Sequence, residues 1–317
     1  QPDLKDLIIT DPILLVKFLN LLLRRPDSTS TRFKGWNEDG IVNHKYITEV
    51  ATEVKLVIDC ANGAMSEVAP RAFKKLGMSP SFIHCSPDGK NINEACGAAH
   101  PESLMQEVIR SKADLGIAFD GDGDRIIAVD GNGEVVNGDQ LIALFALQLK
   151  AHNALANNAV AVTVMTNMGF HIAMKNAGID VLVTPVGDRS ILLALQEAQA
   201  CLGGEQSGHI VFTQHATTGD GLLAAVQLLS VLHSRQQNLR AAAQEVMTSL
   251  PQVLINVPIQ GGIAPQDLLL KNRAAISEIE QLLDGKGRVL VRASGTEPLV
   301  RVMVEAQTST EAQEFAE

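Results

Sequence analysis

From residue 55 onward, short apolar runs rich in β-branched residues alternate with stretches of helical length, and that alternation admits few folds. The run 55–60 stops at Ala61-Asn62-Gly63-Ala64, after which 65–75 takes up helical spacing despite Pro70 and closes at Gly77. Strand signals follow at 81–85 and 114–119, with a long polar loop over 86–99 and a helix over 101–111 between them. The turn Asp130-Gly131-Asn132-Gly133 joins 126–129 to 134–136 and predicts a hairpin. Gly138-Asp139 then opens a helix over 140–150. A second set repeats the style, with strands over 159–165, 181–184 and 210–212 and helices over 169–177, 190–198 and 220–232. Here 201–204 reads as the lead into a loop. Past Leu250-Pro251, the runs 253–258, 288–291 and 299–305 and the amphipathic 272–283 describe a smaller unit, with a last helix over 308–317. The fold class is therefore α/β: tandem mixed or doubly wound α/β domains over 51–152 and 153–248, then a small C-terminal α+β domain over 249–317. Residues 1–50 form no clear domain of their own.

Directly after the strand 114–119 the chain reads Asp120-Gly121-Asp122-Gly123-Asp124-Arg125. Asp and Gly are poor strand and helix formers, so this is a loop. Three like charges at alternate positions repel unless a cation sits among them. Oxygen-only ligands suit a hard ion such as Mg2+, and the glycines let Asp120, Asp122 and Asp124 converge. Arg125 can then face a phosphate held by that metal. A solvated Asp/Gly turn is the plainer alternative, but the whole hexapeptide at a strand end favours the metal site.

Two further loops carry polar chemistry. Gly204-Glu205-Gln206-Ser207-Gly208-His209 offers a carboxylate, an amide, a hydroxyl and an imidazole, groups suited to sugar hydroxyls or to a simple polar turn. Arg292-Ala293-Ser294-Gly295-Thr296-Glu297-Pro298, with Arg301 beyond, offers guanidinium, hydroxyls and converging N–H groups. That set suits a phosphate, or a surface hairpin turn.

Composition narrows the partners. The formal charge of −10 over 317 residues disfavours nucleic acid and anionic membrane as partners, while a local arginine cluster still permits an anionic substrate. The apolar window 13–23 is about half the length needed to span a membrane and is interrupted by Lys17 and Asn20, so it reads as a core helix. Cys60, Cys85, Cys96 and Cys201 lack paired metal-ligand spacing and read as reduced thiols of a cytoplasmic protein.

From about residue 56 to the end the chain resembles the α-D-phosphohexomutases. The resemblance runs through 59–64 (DCANGA), 91–93 (NIN), Cys96-Gly97, DGDGDR, 184–189 (TPVGDR), GEQSGH and RASGTEP. Gln206 is similar to the glucosamine branch, whereas the mannose/glucose branch tends to have Met there. The resemblance implies a four-domain isomerase with a central cleft. It would move a phosphoryl group between glucosamine 6-phosphate and glucosamine 1-phosphate through a phosphoserine and a bisphosphate, serving amino-sugar and cell-wall precursor synthesis. By the same resemblance Asp120, Asp122 and Asp124 hold Mg2+, and Arg125 neutralises charge beside it. Glu205 and Ser207 bind the sugar, and His209 is either an acid/base or a loop brace. Arg292, Ser294, Gly295 and Thr296, with Arg301 a weaker candidate, grip the phosphate that is not reacting. Arg189 is a cleft residue or a member of a structural ion pair. The expected partner is a phosphosugar, with a homodimer allowed. A mutase for mannose or glucose phosphates, or a non-catalytic phosphosugar-binding protein, is the alternative.

The chain departs from the family's pattern at the N-terminus. The Ser-His-Asn-Pro type of loop that carries the phosphoserine is not found, 37–41 echoes only the family's residues just beyond that loop, and Ser28 and Ser30 are poor substitutes. The expectation is that 1–50 is a remnant of the phosphoserine domain. This polypeptide would then bind phosphosugars weakly and not turn over.

Overall fold

The computed structural model describes residues 54–259, 265–293 and 299–317. The stretch 13–23, Ser28, Ser30, the echo at 37–41 and the phosphate-loop residues Ser294, Gly295 and Thr296 lie outside the described residues. The chain divides into two compact units, one of residues up to 166 with 173–247, the other of 167–172 with 248–317.

The first unit holds two sheets. One has the order β2-β1-β3-β4-β5, built from β1 (Leu56–Asp59), β2 (Ser81–Ile83), β3 (Leu115–Phe119), β4 (Ile126–Asp130) and β5 (Val135–Val136). β2, β1 and β3 run parallel, with α1 (Met65–Lys75) and α2 (Glu102–Ser111) as crossovers, while β4 and β5 turn back antiparallel. β1 and β3 are buried along their whole lengths, which is why they read as continuous apolar runs rather than alternating ones. Leu104 and Val108, one helical turn apart on α2, pack against Val57, Ala118 and Val129 of this sheet.

The second sheet has the order β7-β6-β8-β9, from β6 (Ala159–Thr163), β7 (Asp180–Thr184), β8 (Leu202–Gly204) and β9 (Ile210–Phe212). Between these strands run α4 (Met168–Asn176) and α5 (Asp188–Glu197), and α3 (Gly138–Ala151) precedes them. Ile191 and Leu195 of α5 close the core over Ala161 and Val211. α3 is capped by Asn137, with Gln140 completing a reciprocal capping box, rather than by Gly138 or Asp139. α6 (Gly221–Arg235) is buried on nearly all sides, which accounts for its uniformly apolar sequence, and α7 (Leu239–Val246) follows it.

Residues 202–204 correct the sequence reading: they are a strand, not the start of a loop. β8 pairs parallel with β6 and antiparallel with β9. A Cβ on Gly203 would stand 2.7 Å from the Ala161 carbonyl oxygen, so close pairing demands the very residue that erases the strand signal.

The second unit is an antiparallel sheet of order β10-β12-β11, from β10 (Gln252–Pro258), β11 (Arg288–Ala293) and β12 (Leu299–Glu305). Its helices are α8 (Pro265–Lys271), α9 (Arg273–Leu283) and α10 (Ser309–Ala316), the last opened by a Thr308–Glu311 capping box. Val289, Val304, Leu283 and Ala312 form its core. Neither α7 nor α8 is foreseen in the sequence reading; both are short. Among the described residues no helix is long and apolar enough to cross a membrane.

Candidate functional site

β3 delivers the aspartate loop. Its buried backbone ends at Phe119, and the next six residues turn before β4 begins at Ile126. Oxygens of Asp120, Asp122 and Asp124 all lie within 4.8 Å of one another. The loop is curled by Asp120, whose Oδ1 accepts from the N–H groups of Gly123 (3.2 Å) and Arg125 (3.1 Å). Gly123 takes φ +79°, a conformation open to glycine. Burial, and then the neighbouring carboxylates Asp124 and Asp122, push the Asp120 carboxyl up to about 7. Asp124 Oδ1 is buried without a hydrogen bond. Arg125 Nε stands 3.6 Å from Asp120 Oδ2 and 3.7 Å from Asp124 Oδ1, ion-pair distances rather than good hydrogen bonds. An all-oxygen set with one orphaned buried oxygen and mutual repulsion fits a hard divalent cation.

The GEQSGH segment is the tight connection between β8 and β9, and it is fastened to the aspartate loop. Ile126 N–H donates to Gly208 O at 3.0 Å, and Arg125 bridges His209. His209 is 2% exposed. Its Nδ1–H donates to Asp124 Oδ2 at 3.0 Å, while its Nε2 accepts from Gly219 N–H at 3.1 Å. Both ring nitrogens are thus engaged and buried, so the geometry is that of the loop brace. An acid/base role would first require one of these two hydrogen bonds to open.

Glu205 is half-buried and its Oε1 accepts from Gly187 N–H at 2.9 Å. Gly187, at φ +126°, belongs to the TPVGDR segment leading into α5, so sugar-loop and TPVGDR motifs meet. Ser207 is exposed at the tip. Gln206 points inward instead: its Nε2 donates to the buried Asp139 Oδ2 at 3.2 Å, and its carbonyl accepts from Gly138 N–H at 3.0 Å. Arg189 is exposed and forms no ion pair with the described residues, so the structural ion pair is not what the geometry shows.

Sequence reasoning misses Gly219-Asp220-Gly221, which reads there only as the start of a helix. Gly221 N–H donates to Gly123 O at 2.9 Å, Asp220 caps α6 through Leu223 N–H, and Gly219 N–H fixes His209. A Cβ on Gly219 would sit 2.6 Å from the His209 ring. The available signal is the Gly-Asp-Gly triplet itself, since an N-cap needs only one of those residues.

In the second unit Arg292 and Arg301 are direct register partners across β11 and β12. Opposed residues of an antiparallel pair share one face, so both arginines belong to one face of the sheet, near the strand ends that flank 294–298.

Known proteins are similar to this chain in sequence and in fold. The phosphoglucosamine mutase of Pelotomaculum thermopropionicum is 49% identical over 265 residues, 83% of this chain and 58% of that protein. That of Parafrankia sp. is 48% identical over 285 residues, 88% and 60% respectively. The chain therefore spans about three-fifths of the length of these curated relatives. Among solved structures, Aspergillus fumigatus N-acetylphosphoglucosamine mutase in complex with GlcNAc-6P and magnesium superposes with TM-score 0.66 at 22% identity, covering 86% of this chain and 67% of that one. A Burkholderia thailandensis phosphoglucomutase/phosphomannomutase family protein gives TM-score 0.66 at 24% identity, covering 86% and 62%. At such identities these two structures speak for the fold alone. With α/β/α domain II matched over 38–133, α/β/α domain III over 137–250 and the C-terminal domain over 254–317, the chain belongs to the phosphoglucomutase/phosphomannomutase family.

Proposed function

We propose that this chain carries the metal-, sugar- and phosphate-binding parts of a Mg2+-dependent phosphoglucosamine mutase, interconverting glucosamine 6-phosphate and glucosamine 1-phosphate through a bisphosphate. The observation that carries this reading is the cluster of three carboxylates braced by His209 from the sugar loop, which ties a hard-cation site to a sugar-type loop within one unit. The names of the curated relatives, at 49% and 48% identity, favour the glucosamine branch.

In this reading 51–152 is the metal-binding domain, 153–248 the sugar-binding domain and 249–317 the phosphate-binding domain. Asp120, Asp122 and Asp124 hold Mg2+, which when bound polarises a phosphoryl oxygen. Arg125 leaves its long ion pairs with Asp120 and Asp124 to meet the phosphate. Glu205 keeps one oxygen on Gly187 and offers the other, with Ser207, to the sugar. Arg292 and Arg301, with Ser294, Gly295 and Thr296, grip the distal phosphate. The reaction also needs a phosphoserine, a role that none of these residues fills.

The test is a Mg2+-dependent titration with glucosamine 1,6-bisphosphate and its glucose and mannose counterparts, run beside a coupled turnover assay. Preference for the amino sugar supports the reading. Preference for glucose or mannose transfers it to the other branch. Failure of all three to bind overturns it.

A further inference from the structure

A second cluster of metal-ligating side chains lies in the first unit, made of residues unlike the aspartate loop. Asp59, His84 and Cys96 each place a ligand atom within 4.8 Å of the other two. The strand register creates it: Asp59 pairs with Ile83 across β1 and β2, so His84 follows at its side, and the loop 86–99 brings Cys96 back. We propose that Asp59, His84 and Cys96 form a binding site for a Zn2+-like cation, separate from the hard-cation site at the aspartate loop.

The donor set decides the class of ion. One thiol, one imidazole and one carboxylate suit Zn2+, whereas Mg2+ prefers oxygen alone. Tetrahedral Zn2+ ligands at about 2.0–2.3 Å from the metal stand about 3.3–3.8 Å apart, a range inside the 4.8 Å limit of the cluster, with the His84–Asp59 pair opening slightly from its 3.0 Å. Three protein ligands leave one tetrahedral position for water.

The surroundings are those of a held ligand set. Asp59 is wholly buried, and its Oδ1 accepts from Ala61 N–H at 2.8 Å. Its Oδ2 accepts from Gly97 N–H at 2.9 Å and from His84 Nδ1–H at 3.0 Å. Cys96 is wholly buried, and among the described residues its sulfur has one long contact, 3.9 Å from Asn62 Nδ2. Cys96 therefore contributes little to bracing Asp59, and a bracing role leaves its placement unexplained. Ala61, Asn62, His84, Asn93 and Ala95 all take positive φ, so the segments around Asp59 hold an unusual density of strained non-glycine backbone. His84 is 30% exposed and gives the route in from solvent.

Binding balances without any redox step: Cys96 releases its thiol proton to solvent, the His84 proton passes from Nδ1 to Nε2, and hydrated Zn2+ gives up all but one of its waters. Burial keeps the Cys96 thiol above its ordinary range, so the cation rather than solvent must stabilise the thiolate.

The test uses Co2+ as the spectroscopic substitute for Zn2+ on the whole chain. One equivalent should give a thiolate-to-cobalt charge-transfer band, displaced by Zn2+ but not by excess Mg2+, and retained in Asp122→Asn. Cys96→Ser should abolish the band. His84→Gln, at a partly exposed position that spares the fold, should weaken Co2+ by more than about tenfold. Absence of the band in the native chain overturns the proposal. So does its persistence in Cys96→Ser, which would assign the metal to another thiol, or unchanged affinity in His84→Gln. None of these outcomes depends on mutase activity.

Discussion

A methyl group on Gly208 would lie 2.0 Å from the Ile126 carbonyl oxygen, on a backbone held at φ +92°. The obstructing atom is backbone at the loop junction, so neither partner can step aside. Gly208→Ala is expected to destabilise the chain by at least about 1 kcal/mol. The check is a lower urea midpoint at unchanged m value. Gln206 tells a complementary story. By resemblance it points to the glucosamine branch, yet its amide is spent on Asp139 inside the protein. Gln206→Met should therefore cost stability, about 0.5–1.5 kcal/mol for one lost hydrogen bond, and shift sugar selectivity by less than about threefold. A large selectivity change with native stability would show that the side chain reaches the sugar. His209 acts through Asp124: His209→Ala should weaken Mg2+ by about 10–100-fold, as losing an outer partner of a ligand does. A calorimetric titration with Mg2+ alone reads this without any turnover.

At the scale of elements, legibility followed burial and sequence distance. β1 and β3 could be read because both faces are buried and nearly every residue is apolar or small. β8 could not, because the glycines that let β6 approach are also loop signals. The aspartates were legible because they are close together in the chain. The His209–Asp124 contact spans 85 residues and the His84–Asp59 contact 25, and only the tertiary fold brings each pair together. Glu305 shows the same limit. It is wholly buried at the end of β12, where Arg288 of β11 meets it at 2.8 Å and Asn167 Nδ2 and Met168 N–H also donate to it. In sequence it looks like the polar end of a strand. Arg288→Met should strand that carboxylate and destabilise the second unit by about 3–5 kcal/mol, the usual cost of removing one partner of a buried pair. A thermal melt compared with Arg288→Lys, which keeps the charge but not the paired N–H geometry, separates charge from geometry.

At the scale of the whole molecule, the aspartate loop is the point where several elements of the first unit are tied. β3 and β4 flank it, Gly208 O receives Ile126 N–H, His209 holds Asp124, and Gly221 N–H at the head of α6 donates to Gly123 O. Its own charge works against this junction. Burial and like-charged neighbours push Asp120 up to about 7, so ionising all three carboxylates costs free energy that a cation would return. A cation that binds only the folded loop stabilises it by about 2.7 kcal/mol at a hundred times its dissociation constant. Mg2+ is therefore expected to raise the melting temperature, with a chelator reversing the rise and NaCl at matched ionic strength failing to reproduce it. Asp122→Asn is the discriminating variant, because Asp122 is exposed and its amide should leave the packing intact. Without Mg2+ it should melt at or slightly above the native chain, because one of three repelling charges is gone, and it should show no rise with Mg2+. Hydrogen exchange should locate the effect, with Mg2+-dependent protection over 120–126, 205–209 and 219–222 and none in β10–β12. Protection spread evenly over both units, or a full rise in Asp122→Asn, would mean that the cation binds elsewhere and that the three carboxylates are only a charged turn.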